Sequence, residues 1–320
     1  MRIPAYSRRR SSGRGLLGML QGRLPIILLV IGGLAFYWFS NQKEGLSGRK
    51  QMITMGVEQE VALGDQSYMQ ILSSEPVLCG GNATSCGTDE RQVVEVIETV
   101  GERIARAAIE WEAEGAPVLG LGKTRGEIPK WGTLADKFDW EFKVIASDTP
   151  NAFCLPGGKV AFYTGILETA ANVDGVAVIM GHEIGHALAR HGAERMSQQK
   201  IMQFGQMAVG ATVGDMGAGA QRAVMGAFGA GAQMGVLLPF SRAHESEADM
   251  VGLELLTRAC FDPREAPLLW ERMAELGGGQ RQAEITSTHP DPVRRAEAFR
   301  REMPKYLALY EQKCGALPPR

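Results

Sequence analysis

One short motif in this chain requires a helix and indicates a metal ion. Residues 181–191 read Gly-His-Glu-Ile-Gly-His-Ala-Leu-Ala-Arg-His, with His182 and His186 four positions apart and Glu183 after the first histidine. On an α-helix, side chains at i and i+4 lie on the same face, so both imidazoles can bind one zinc ion. Zinc lowers the pKa of its water, and Glu183 can accept the proton. The motif therefore predicts a helix that carries the chemistry of peptide-bond hydrolysis.

The motif is short, and a surface helix with two unrelated histidines is the alternative. The preceding segment 173–180 is apolar and has no helix breaker after Gly175, which predicts a buried helix. Buried histidines need polar partners, and a metal ion would supply one. The segment therefore favours the metal site.

A zinc site of this kind needs a third protein ligand. His191 follows His186 after five residues, whereas the third histidine of the metzincin motif follows after six and a glycine, so we interpret His191 as structural or as the partner of a ligand. If segment 241–249 is helical, Glu245 and Asp249 share one face. Glu245 is then the expected third ligand, and Asp249 the acceptor that orients a ligand histidine.

Two neighbours of these acids have predicted positions. Gly252 follows on the same face and would allow the two metal helices to approach closely. Glu247 is about half a helical turn from Glu245 and is predicted to point away from the metal. A solvated acidic helix face is the alternative, and it is the weaker interpretation in a chain that also has the histidine motif.

The motifs together resemble those of a known family. HExxH followed by SRxxExxAD at 241–249 is similar to the gluzincin family of HtpX- and CAAX prenyl protease-type zinc metallopeptidases. Segment 151–165 resembles the family's NAFxLPGG strand-turn-strand, and segment 287–295 its THP segment with a downstream arginine. The layout is most similar to the periplasmic BepA- and LoiP-like members. Cys154 departs from the family pattern, in which small apolar residues are usual.

The resemblance implies a zinc metalloendopeptidase with one zinc ion per chain, held by His182, His186 and Glu245. The expected fold is α+β, a mainly helical zincin-type metalloprotease domain with a small antiparallel sheet, preceded by one transmembrane helix. Expected substrates are misfolded or regulatory proteins of the envelope or membrane. The alternative is a zinc-stabilised chaperone or scaffold without proteolytic turnover. An intramembrane CAAX-type protease is disfavoured, because the chain has one convincing apolar span.

The N-terminal segment predicts a membrane anchor. Residues 1–23 are basic and acid-free, and an apolar segment follows at 24–40. Positive charge marks the cytoplasmic side, so we expect a single-pass protein of the bacterial inner membrane with a periplasmic catalytic domain. An Arg-rich, acid-free start also fits a mitochondrial presequence, so the mitochondrial inner membrane is the alternative. The expected divisions are 1–23 as cytoplasmic N-terminus, 24–40 as anchor, 41–134 as linker and N-terminal helices, and 135–320 as metallopeptidase domain.

Three strands are predicted between residues 138 and 164 from alternation and from a Pro-Gly-Gly turn at 156–158. An extended substrate can pair with an exposed strand edge. The resemblance favours residues 160–163, or the Ala152 side, as that edge, and an ordinary core hairpin is the alternative. The expected substrate-binding residues are Asn151, Ala152, Val160 and Phe162.

His289, in the THP segment, has three open roles. It could stabilise an oxyanion with Arg294 or Arg295, occupy the open zinc position and hold the enzyme inactive, or serve as a structural loop residue. His289 and Arg295 are therefore candidate catalytic residues, beside Glu183.

The remaining sequence adds three expectations. Residues 201–240, rich in Gly, Ala and Met, predict two small-residue helices that form either a mobile lid or a tightly packed hairpin. In an oxidising compartment Cys79 could pair with Cys86, and Cys260 with Cys314; reduced thiols are the alternative. A net charge of −2 indicates no nucleic-acid partner.

Overall fold

The computed structural model describes residues 24–40, 42–80, 86–115, 133–214, 217–232, 238–275, 289 and 291–319. The predicted basic segment 1–23 and residues 287, 288 and 290 of the THP segment lie outside this part of the chain. The helices are α1 (Leu24–Ser40), α2 (Val57–Ser74), α3 (Thr88–Glu114), α4 (Leu167–Ala170), α5 (Val173–Leu188), α6 (His191–Val213), α7 (Ala218–Ala232), α8 (Leu238–Arg258), α9 (Glu265–Glu275) and α10 (Pro292–Cys314). The strands are β1 (Gln42–Glu44), β2 (Lys50–Met52), β3 (Glu141–Ile145), β4 (Ala152–Leu155) and β5 (Lys159–Tyr163).

The chain divides into two units, the smaller from Met1–Asn41 and Gln198–Leu237, and the larger from Gln42–Ser197 and Leu238–Arg320. In the smaller unit, α6 and α7 approach closely at Gly205, where an added Cβ would lie 2.7 Å from the Phe228 ring. The two predicted small-residue helices are therefore present and pack against each other.

The expected anchor segment forms helix α1 over 24–40. With 17 residues at about 1.5 Å each it reaches roughly 26 Å, whereas a hydrocarbon core is roughly 30 Å thick. Within the described ranges, no helix is both long and apolar enough to cross a membrane.

In the larger unit, α3 and α5 form the centre of the hydrophobic core. Asn172 begins α5, where its side-chain oxygen accepts a hydrogen bond from the Gly175 amide at 2.8 Å. Most of α5 is buried, as its apolar sequence predicts. Helix α3 buries one stripe at helical spacing, Ile97, Val100, Ile104, Ala108 and Trp111.

Helices α5 and α8 pack with almost no space between their backbones. A Cβ on Gly252 would lie 2.7 Å from the carbonyl carbon of Gly181, and a Cβ on Gly185 would lie 2.9 Å from the carbonyl oxygen of Ala248. The predicted close approach at Gly252 is confirmed. Small residues on both helices therefore let the two metal-binding segments face each other.

The sheet differs from the expectation. Its order is β3-β5-β4, with β3 parallel and β4 antiparallel to β5, so it is mixed rather than antiparallel. Val160 and Phe162 lie in the central strand and are fully buried. The prediction that residues 160–163 form an edge for substrate is wrong, because hydrogen bonds to β3 and β4 occupy both sides of β5.

Two disulfides join Cys79 to Cys86 and Cys260 to Cys314, and Cys154 is the free cysteine. Both expected pairs are therefore present. The second disulfide fastens the C-terminal end of α10 to the residues that follow α8.

Candidate active site

Four potential metal ligands from three parts of the chain converge in the larger unit. His182 and His186 come from α5, Glu245 from α8, and His289 from the segment before α10, and one ligand atom of each lies within 4.8 Å of the others. The Nε2 atoms of His182 and His186 are 3.1 Å apart, and the Glu245 carboxylate lies 3.4 Å from both. Imidazole nitrogens and a carboxylate oxygen are ligands that zinc prefers, so the donor set fits this metal.

His289 lies inside the cluster rather than beside it. Its Nδ1 is 2.9 Å from Glu245 Oε2 and 3.2 Å from His182 Nε2. On its other side, Nε2 is 3.5 Å from Glu183 Oε1. The imidazole thus occupies the space between the ligand atoms and the carboxylate that HExxH places next to them.

Asp249 and Arg295 support the cluster from behind. Asp249 Oδ1 is 3.1 Å from His182 Nδ1, on the ring edge opposite the metal-facing nitrogen. The Arg295 guanidinium donates to Asp249 Oδ2 at 2.8 Å and to Glu245 Oε2 at 3.0 Å, and its carbon lies 3.3 Å above the Trp270 ring. All three nitrogens of Arg295 donate to carboxylates. Arg295 thus contacts two acidic groups of the site, and its expected oxyanion role stays a prediction.

Burial and charge shift the protonation of these groups in opposite directions. Burial raises the pKa of the Glu183 carboxyl, against the nearby imidazoles of His289 and His182, which favours a base that operates near neutral pH. Burial also opposes ionisation of Glu245, but hydrogen bonds from His182, His186 and His289 prevail and hold its pKa well below the usual range. Glu245 is therefore an anion that can face a cation.

A cleft of about 310 Å³ opens over the cluster. Asn151, Ala152 and Cys154 at strand β4 line one side, and Glu183, His186 and His289 line the floor. Strand β4 pairs with β5 on one side only, among the strands that the structure describes. Of the four expected substrate-binding residues, Asn151 and Ala152 thus lie at the cleft, and Val160 and Phe162 do not line it.

The site has a second hydrogen-bonded chain, in which His191 is the partner of a ligand, one of its two expected roles, and whose link to Glu247 sequence reasoning missed. His191 Nδ1 lies 2.8 Å from His186 Nδ1, and His191 Nε2 lies 3.1 Å from Glu247 Oε2. Burial lowers the pKa of His191 to about 4, against its bond to Glu247, so the ring is neutral at pH 7. Glu247 does point away from the four-ligand cluster as predicted, but into this buried network rather than into solvent. Helical periodicity could not reveal it, because Arg190 has a φ of 56° and interrupts the helix before His191.

Comparison with known proteins finds similarity over the part of the chain that contains this site. The model of Peptidase family M48 matches residues 128–303, a range that includes the four potential metal ligands and also Glu183, Asp249 and Arg295. The mitochondrial metalloendopeptidase OMA1 of Saccharomyces cerevisiae is 30% identical over 331 residues, which cover 98% of this chain and 86% of the relative. The OMA1 of Schizosaccharomyces pombe is 38% identical over 167 residues, or 52% of this chain and 47% of the relative.

The beta-barrel assembly-enhancing protease of Escherichia coli is 26% identical over 247 residues, 76% of this chain and 43% of the relative. The chain therefore spans less than half the length of two of these three relatives. Identity to the mitochondrial relatives is higher than to this bacterial one, so the expected closeness to the periplasmic members is not supported.

Proposed function

The chain belongs to peptidase family M48 and is a zinc metalloprotease, in which we propose that His182, His186 and Glu245 hold the zinc ion. The observation that carries this proposal is the convergence of two imidazoles of α5 and one carboxylate of α8 on a single point. When bound, zinc polarises the peptide carbonyl and lowers the pKa of the attacking water.

The chain's own residues then move the proton and hold the geometry. Glu183 accepts the proton from the attacking water and passes it to the leaving amine. Asp249 accepts a hydrogen bond from His182 Nδ1 and so keeps the Nε2 lone pair directed at the metal. Arg295 holds Asp249 and Glu245 in place. The open edge of β4, at Asn151 and Ala152, binds the substrate as an added strand.

We propose that His289 would be a fourth ligand of the zinc ion in this conformation, beside His182, His186 and Glu245. Its Nδ1 is as close to Glu245 and His182 as the two α5 histidines are to each other. A catalytic zinc site needs that position for water, so His289 must move before the substrate is cleaved.

The substrates are proposed to be misfolded or regulatory proteins at a membrane, with α1 as the membrane-associated segment. The apolar sequence of α1 supports this role, since Leu29, Phe36 and Phe39 are largely exposed. Two disulfides support an oxidising compartment. Between the two locations considered, the names of the OMA1 relatives, which say mitochondrial, favour a mitochondrial location over a bacterial periplasm.

Glu183→Gln in the full chain tests the catalytic proposal. The variant should bind zinc as the wild type does and lose cleavage of an unfolded protein such as casein by on the order of 10²- to 10⁴-fold, the usual contribution of a general base. Glu168→Gln is the matched control, because this glutamate is exposed on α4, and it should change neither quantity. Undiminished cleavage by Glu183→Gln would contradict the assignment. If the protein were a chaperone or scaffold, which family membership does not favour, neither variant would change its function.

A further inference from the structure

A buried polar cluster lies next to the metal site, and the proposed mechanism does not use most of it. Glu194, His244 and Glu247 are at most 2% exposed. They belong to the same unit as the ligands, and the two glutamates share one cation, Arg49. The cluster consists of His191, His244, Glu194, Glu247, Ser47 and Arg49.

The hydrogen bonds of the cluster have only one direction that is compatible with a bound metal. Glu247 is a carboxylate and only accepts, so Nε2 of His191 must carry a proton. Nδ1 of His191 faces Nδ1 of His186 at 2.8 Å, and one of these two nitrogens must donate. If His186 accepted there, its Nε2 would carry the proton and could not bind zinc. His186 therefore donates from Nδ1 to Nδ1 of His191, and His191 donates from Nε2 to Glu247. Nε2 of His186 then presents a lone pair to the metal site.

Glu247 is in turn held by the hairpin of β1 and β2. Ser47 donates its hydroxyl to Oε1 of Glu247, and Arg49 donates from Nε to Oε2 at 2.7 Å. The turn that presents these two side chains closes with a 2.7 Å bond from the Gly45 amide to the Arg49 carbonyl, and Gly48 supplies a φ of 75°. Both side chains therefore reach Glu247 from a defined backbone geometry.

Arg49 also binds a second buried carboxylate. It donates to both oxygens of Glu194, at 3.1 Å and 2.6 Å, and His244 lies 2.8 Å from the same group. Residues 42–52 are thereby fixed to α6 and α8 at once. These residues lie outside the range 128–303 that matches the family model.

We propose that the β1–β2 hairpin completes the zinc site, because Ser47 and Arg49 fix Glu247, Glu247 fixes His191, and His191 orients the ligand His186. Glu247, His191, Ser47 and Arg49 are positioning residues in this scheme. Each ligand histidine is then oriented by a carboxylate. Asp249 contacts His182 directly, and Glu247 acts on His186 through His191. The inference rests on the proposed zinc site and adds a segment far from it in sequence.

Zinc affinity of the full chain distinguishes this role from simple packing of the hairpin. Glu247→Gln and Arg49→Met should raise the zinc dissociation constant by roughly 10- to 100-fold, the usual effect of losing the support of a metal ligand. Ser47→Ala should have a smaller effect in the same direction. The measurement is competition with a chromophoric chelator, and the visible absorption of the Co²⁺-substituted protein should change in the same variants, because it reports ligand geometry.

Arg258→Met is the matched control. Arg258 also forms ion pairs with two glutamates, Glu254 at 2.8 Å and Glu114 at 2.7 Å, but it does not belong to the cluster. It should lose thermal stability and keep the wild-type zinc affinity and Co²⁺ spectrum. A purely structural role of the hairpin would make Arg49→Met behave in the same way as Arg258→Met.

His186→Gln separates failure of this inference from failure of the proposed function. If His186→Gln loses zinc while folded Arg49→Met and Ser47→Ala bind it like the wild type, the inference is overturned and the zinc site stands. If His186→Gln itself binds zinc like the wild type, the proposed site is overturned, and the inference with it. Should Glu247→Gln not fold, the two hairpin variants decide the question alone.

Discussion

Replacing Arg295 with methionine should destabilise the metal-free protein by about 3–5 kcal/mol, the cost of removing one partner from a buried ion pair. Arg295 is 5% exposed and donates to Asp249 and Glu245, which are 3% and 4% exposed. Methionine retains an unbranched apolar chain that can still pack on Trp270. The change therefore removes the charge and the hydrogen bonds more than the packing.

The size of the destabilisation depends on which contacts Asp249 and Glu245 retain when Arg295 is replaced. Hydrogen bonds to charged groups contribute about 1.5–3 kcal/mol each, and Arg295 makes at least three, which gives a simple sum above the expected loss. The loss is smaller than this sum because His182 and His289 still contact the carboxylates. Against a total stability of about 5–15 kcal/mol, it is large. Zinc should reduce the loss, since the ion compensates the charge of Glu245.

The stability that Arg295→Met loses relative to the wild type should become smaller as the pH falls. Burial alone would raise the pKa of Asp249, but the Arg295 charge and the His182 hydrogen bond prevail and lower it. A carboxyl whose pKa is lowered by folding contributes stability that is present above its unfolded pKa, about 4, and is lost as pH falls through the folded value. The difference between wild type and Arg295→Met should thus be complete at pH 7 and shrink below about pH 4.

Urea unfolding of the metal-free full chain, followed by circular dichroism at pH 7 and at pH 3.5, measures both effects. Arg301→Met, at an arginine whose side chain is 71% exposed, is the control and should stay within about 0.5 kcal/mol of the wild type. A loss below about 1 kcal/mol for Arg295→Met at pH 7, or a loss that does not change with pH, would refute the reasoning, since a buried pair gives more.

Two further predictions concern the cluster and the helix contact behind it. His289→Ala should retain zinc and raise basal cleavage of casein, because it frees the fourth metal position; lost cleavage with zinc retained would instead support a catalytic role. Gly252→Ala should cost about 1–3 kcal/mol by overpacking and weaken zinc binding, since the added Cβ would lie 2.7 Å from the backbone of Gly181 and His182. Thermal unfolding and chelator competition test this, with Gly226→Ala as control because nothing lies within 4 Å of its Cβ; equal zinc affinity in both variants would contradict it.

The helix faces that carry the metal-binding residues could be predicted from sequence because they depend on local geometry. The four-residue spacing of His182 and His186, and of Glu245 and Asp249, fixes a shared face on any helix. Gly252 on the same face indicated that a second backbone comes close. The expectation that the two helices meet at one metal came instead from the presence of both motifs in one chain and from the family resemblance.

The pairing of strands and the partners of side chains depend on tertiary structure and could not be predicted from local spacing. Alternation identified β5 as a strand but could not show that β3 would pair with its second side, which buries Val160 and Phe162. The role of Arg295 required knowing that α10 packs on α8 beside Trp270. The left-handed residue Arg190 separates His191 from the periodic pattern of α5, so the contact of His191 with Glu247 on α8 has no signature in spacing.

The position of Arg295 near the start of α10, downstream of α5 and α8, has a consequence for the newly made protein. Both helices that bear histidines and acids leave the ribosome before α10 does. Until α10 packs, Asp249 and Glu245 lack the guanidinium that holds them, and the disulfide at Cys314 has not closed. We expect a growing polypeptide to have no organised catalytic centre until α10 has been synthesised and has packed against α8.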